Sequence, residues 1–93
     1  MDKPKFRKGP WRVYDCRGYD ETSHEFSVVD KEGWNIADVT DMIESEENKA
    51  NAALIAAAPE MYAMLEDMLN MFAEESVEYG MIQKLLVKAR GEL

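Results

Sequence analysis

Ninety-three residues, 46% hydrophobic and 32% charged, suit one globular domain that buries somewhat over about 60% of its unfolded surface; they exclude a disordered chain and a large cleft walled by two domains. The lone Cys16 excludes an internal disulfide and fits a reducing compartment, while no apolar run reaches the ~20 residues that span a bilayer and no signal-like apolar stretch follows the basic N-terminus. The net charge of −8 is uneven, +4 over residues 1–12 (Lys3, Lys5, Arg7, Lys8 and Arg12 against Asp2) and −12 over the rest, and so acidic a body repels a phosphate backbone.

Residues 1–10, with Pro4, Gly9, Pro10 and alternating basic side chains, read as a flexible basic arm in which Phe6 is the one aromatic able to dock. Residues 11–93 read as a single domain. Strands are predicted at about 11–16, 24–29 and 34–39 from their aromatic and β-branched content. Alternation puts Trp11 and Val13 on one face of the first strand and Tyr14 and Cys16 on the other. Phe26 and Val28 share a face of the second. In the third, Trp34 and Ile36 point one way, Ala37 and Val39 the other. Asp30-Lys-Glu-Gly33 has the residues of a type I turn followed by a glycine free to take positive φ. Short connections make the three strands an antiparallel meander, and a sheet of that size needs a helical layer over one face.

Thr40 and Asp41 can cap a short turn around Met42 and Ile43. Helices are predicted at about 46–58, 59–74 and 77–90. Glu46 and Glu47 favour the first helix start, Ser76 is an N-cap for the last helix, and Gly91 ends it. Pro59 cannot donate to the carbonyl of Ile55, so the chain either breaks there and restarts with the proline in a first turn or kinks within one long helix. Leu54, Ala58, Met61, Leu65, Met68 and Phe72 step by 4, 3, 4, 3 and 4 residues, a seam in phase through the proline. In the last helix Ile82, Leu85, Leu86 and Ala89 line one face.

The stretch from Asn51 to Leu65 also resembles one that recurs in a family of small tailed-bacteriophage and prophage proteins. There a β-rich N-terminal half precedes a pattern close to NA-x-LIAAAPE, two apolar residues and a leucine, then a helical tail. Asn51, Ala52, Leu54 to Glu60 and Leu65 match it. The resemblance implies phage origin, this architecture and residence in the bacterial host cytoplasm; it implies no reaction.

The residues themselves offer little catalytic chemistry. Cys16 and His24 fall on neighbouring strands, but one Cys and one His do not close a tetrahedral zinc site, and no CxxC, HxxxH, Walker or GxGxxG spacing occurs. The carboxylates at Glu44, Glu46, Glu47, Glu66, Asp67, Glu74, Glu75 and Glu78 suit helix starts and solvated faces. Expected, then, is an α+β fold with two layers, a three-stranded meander followed by two or three packed helices, in a protein that is not an enzyme and holds no cofactor or metal. Its expected work is protein–protein binding, with a second copy of the chain among the partners and a host-takeover or anti-defence role as one specific form. Methionine adapts well to partner surfaces, which makes Met61, Met64, Met68, Leu69, Met71 and Phe72 the candidate interface. The alternative is a small nucleic-acid-binding module using Lys3, Lys5, Arg7, Lys8 and Arg12 with Trp11 as a stacking platform. Net charge argues against nucleic acid as the partner, and no membrane role is expected.

Overall fold

A computed structural model of the chain describes residues 5–16, 24–40 and 45–92. The predicted turn around Met42 and Ile43 lies outside the described residues, as does the side chain of His24 and with it the Cys16–His24 pair. The fold is α+β, as the strand and helix patterns imply: β1 (Trp11–Asp15), β2 (His24–Asp30), β3 (Asn35–Thr40), α1 (Ser45–Ala56), α2 (Ala58–Leu69) and α3 (Val77–Ala89). The chain forms two compact units, one spanning Arg7–Pro59 and one made of Met1–Phe6 with Glu60–Leu93.

In the first unit the strands form an antiparallel sheet of order β1-β2-β3. Val13 stands opposite Val28, and Val28 opposite Ala37. Phe26, Val28, Val39, Ala52 and Ala56 are the buried core between sheet and α1, with Trp11, Val13, Ile36, Ala37 and Ile55 packed around them. Ala52 and Ala56 are the α1 residues in that core, and their small side chains let the helix backbone lie close to Phe26 and Val28, each of which contributes roughly 1.5–3 kcal/mol by burial.

Strict alternation fails in β3. Val28 pairs with Ala37 but Val29 with Asn35, so Ile36 is an extra residue in a bulge. Ile36 and Ala37 therefore pack on the same core, where alternation had put them on opposite faces. Trp34, expected to share Ile36's face, is instead 63% exposed.

Asp30 organises the β2–β3 turn. Its backbone carbonyl accepts from the Gly33 N–H at 3.0 Å, and Gly33 takes a φ of 91°, which a side chain would make costly. Its Oδ1 accepts from the N–H groups of Glu32 at 3.0 Å and Trp34 at 2.9 Å. Its Oδ2 receives Arg7 Nε at 2.6 Å. Gly9 lies against the end of the helical segment, where an added Cβ would come within 2.7 Å of Pro59 Cβ.

At Pro59 the helix breaks: α1 ends at Ala56 and α2 begins at Ala58. The last bond of the first segment runs from the Ala57 N–H to the Ala53 carbonyl at 3.0 Å. Pro59 then occupies the first turn of α2, where its missing N–H costs nothing.

The second unit is a helical hairpin with a small core of Tyr62, Leu69 and Leu86, packed by Phe6, Leu65, Tyr79 and Ile82. The buried stripe of α2 is thus Tyr62, Leu65 and Leu69. The seam read in the sequence is offset from it: Met61 is half exposed at 50% and Leu54 exposed at 61%. Because α2 starts afresh at Ala58, nothing carries the phase of α1 through the proline. Tyr62 also buries well: its hydroxyl accepts from Arg90 Nη1 at 3.1 Å, and Phe6 meets its ring edge-on at 4.9 Å. The bond between Tyr62 and Arg90 brings the end of α3 back to the start of α2.

α2 stops at Leu69, short of the predicted 74, because its last bonds tighten to i→i+3, such as Met71 N–H to Met68 carbonyl at 2.9 Å. Ser76 caps α3, its Oγ accepting from the Tyr79 N–H at 3.1 Å. Gly91, at φ 77°, closes the helix in a Schellman arrangement: its N–H bonds the Lys88 carbonyl at 3.0 Å and that of Glu92 the Val87 carbonyl at 3.1 Å. Among the described residues no helix is long and apolar enough to cross a membrane.

Candidate protein-binding face

Three residues of the hairpin, Tyr62, Leu69 and Leu86, are buried, whereas Met61, Met64, Met71, Phe72, Val77, Met81 and Leu85 are exposed. Scattered exposed apolar residues are ordinary, but stripes of them at helical spacing mark contact surfaces. Two stripes occur here. On α2, Met61 (50% exposed), Met64 (60%) and the half-buried Met68 fall within one arc, extended past the helix end by Met71 (78%). On α3, Val77, Met81 and Leu85 recur every four residues and form a ridge.

The interface residues expected from sequence divide accordingly. Met61, Met64, Met71 and Phe72 are exposed and Met68 is half-buried. Leu69, at 3% exposure, belongs to the hairpin core and offers no surface to a partner. It had been grouped with Met64 and Met71, but it follows Tyr62 by seven residues and shares that inward face. Sequence reasoning missed the α3 ridge. Leu85 was placed on the inward face with Leu86; instead Leu86 is buried and Leu85 is half exposed. The i, i+4, i+8 recurrence of Val77, Met81 and Leu85 was the available signal, obscured because the helix is apolar over a wide arc.

Charges differ between the stripes. Exposed Glu60 and Asp67 border the methionines of α2; exposed Lys84 and Lys88 border the C-terminal half of the α3 ridge, and exposed Glu78 its first turn. The two lysines, with Met81 and Leu85, line a shallow cleft of about 370 Å³.

The basic residues of the N-terminal segment differ in their surroundings. Arg7 is tied to Asp30 and lies 5.7 Å over the Trp34 ring. Trp11 is partly buried against the sheet core, and its Nε1 donates to the Arg7 carbonyl at 3.1 Å. Lys5, Lys8 and Arg12 are exposed, and Lys3 lies outside the described residues.

On the sheet face opposite α1, the buried Cys16 thiol lies 3.4 Å from Ser27 Oγ, which donates to Asp38 Oδ1 at 2.9 Å. Arg12 and Tyr14 border this spot in a cleft of about 260 Å³. Among the described residues no group of three or more His, Cys, Asp or Glu side chains is arranged to hold a metal. The acidic residues Glu46, Glu47, Asp67, Glu74, Glu75 and Glu78 are exposed.

Compared with known families, residues 1–92 match the family described as Salmonella phage P22 protein Y8K6. No curated protein and no solved structure matches the chain.

Proposed function

The chain belongs to the Salmonella phage P22 protein Y8K6 family, and from that premise we propose that it is a non-enzymatic phage accessory protein that acts by protein–protein binding through its helical hairpin, a second copy of the chain being among its partners. The observation that carries this reading is the pair of exposed apolar stripes beside a hairpin core of three side chains. Burying half-exposed methionines and leucines against a partner is favourable at roughly 25 cal/mol per Å² of apolar surface. Methionine supplies that surface without demanding one fixed shape. The site of action is the host cytoplasm, and interference with a host process, including a defence system, is the form that phage origin and an acidic surface support.

The test is affinity capture from a lysate of phage-infected cells, comparing the native chain with Met64→Lys plus Met71→Lys. The substituted chain should keep its helical circular dichroism and lose the captured partner. Retention of the same partner by the substituted chain would overturn the reading, as would loss of the partner on changing the exposed Lys5 and Lys8 to Glu instead.

A further inference from the structure

We infer that the occupant of this face is a second copy of the chain: two hairpins pair so that the methionine stripe of α2 lies on the α3 ridge of the other copy, in a symmetric four-helix arrangement. The inference rests on the proposed binding role of the hairpin and names its partner.

Geometry and charge carry it together. Helical residues step by about 100° around the axis. On α2, Met61, Met64 and Met68 lie about a quarter turn from the inward stripe of Tyr62, Leu65 and Leu69. On α3, Leu85 and Met81 lie about a quarter to a third of a turn from the inward stripe of Tyr79, Ile82 and Leu86. Since α3 runs back toward the start of α2, as the Tyr62–Arg90 bond requires, these opposite senses of rotation bring both stripes to the same side of the hairpin. A twofold axis parallel to the helices then sets each α2 against the other copy's α3, the neighbour relation of an up-down four-helix bundle.

Charge selects that pairing over like-on-like stacking. The α2 stripe is bordered by Glu60 and Asp67, the α3 ridge by Lys84 and Lys88. Over the C-terminal half of α3, stacking α3 on α3 would oppose ammonium groups, as stacking α2 on α2 would oppose carboxylates; the crossed pairing opposes unlike charges there at both of its symmetric contacts, with Glu78 in the first turn of α3 outside that charge match. It also places the exposed Met61, Met64, Met81 and Leu85 in a shared core.

The experiment is light scattering on three purified full-length chains: the native one, Glu60→Lys plus Asp67→Lys, and Lys84→Glu plus Lys88→Glu. The native chain should have twice its 10.7 kDa mass. Each variant alone opposes like charges at both contacts and should fall to half the native mass, with its helical dichroism retained. Mixed in equal amounts, the variants oppose unlike charges at both contacts and should return to the native mass. Recovery on mixing also shows that the variants remain folded. A native monomer, variants that stay dimeric alone, or a mixture that stays monomeric would each overturn the crossed pairing. Any of these outcomes leaves the capture experiment standing as a separate test of binding to another protein.

Discussion

Asp30 shows how much one side chain can hold in a small sheet. Burial works against its ionisation, but the hydrogen bond from Arg7, those from the Trp34 and Glu32 N–H groups and the charge of Arg7 together outweigh it, keeping the carboxyl below its ordinary value of 3.8. A carboxyl with a lowered folded-state pKa binds protons more readily in the unfolded chain. Its contribution is therefore fully present above 3.8 and is lost as pH falls through the lowered value. Asp30→Asn should lower the thermal midpoint most near neutral pH, and its difference from the native chain should shrink as pH drops below 3.8. Thermal melts across that range check it; a difference independent of pH would mean that ionisation of Asp30 contributes nothing. The turn itself was legible from Asp30 and Gly33, since their backbone preferences are local. The ion pair with Arg7 was not, because nothing in the spacing of residues 7 and 30 brings them together until β1 and β2 pair.

At the scale of elements, signals that act within a few residues were readable and those that depend on packing were not. Ser76 and Gly91 marked the ends of α3 because a cap needs one hydroxyl and a positive φ needs a glycine. Pro59 marked a boundary, but only the packed chain chose a break over a kink. The inward stripe of α2 came out one residue away from the apolar seam because Tyr62, with a polar tip, could be buried once Arg90 met its hydroxyl. α3 offers a contrast between adjacent leucines. Leu86→Ala, at 1% exposure, should destabilise the protein by about 2–5 kcal/mol through lost burial and the cavity left behind. Leu85→Ala, 49% exposed, should cost under about 1 kcal/mol in chain diluted below any association. Urea titrations of both variants check the pair; equal costs would mean that Leu85 is as much a core residue as its neighbour.

For the molecule as a whole, charge governs which partners can approach. The body of the chain carries −12, while a basic excess of +4 is confined to residues 1–12. Arg7, itself exposed, is paired with Asp30, and Trp11 packs against the sheet; Lys5, Lys8 and Arg12 are the other exposed cations of that segment among the described residues. A handful of phosphate contacts against an acidic body should not hold single-stranded DNA at a physiological ionic strength of about 0.15 M. Passage of the purified chain over immobilised single-stranded DNA at that salt should show no retention. Salt-sensitive retention that disappears on changing Lys3, Lys5 and Lys8 to Ala would establish the nucleic-acid reading instead.

The amino-acid sequence by itself determined the α+β class, the three-strand meander and the order of the helices, because each depends on local backbone preference, and residues 1–92 carry the match to a phage protein family. The tertiary structure decided which apolar residues are core and which are surface. Bulging at Ile36 moved a side chain to the other face of the sheet, and the restart at Ala58 reset the phase of α2. Leu69 went to the core and Met61, Met64, Met81 and Leu85 to solvent. Hydrophobicity alone could not separate them: burial is assigned by the angle at which each helix meets its neighbour, and that angle is set by contacts far apart in the chain.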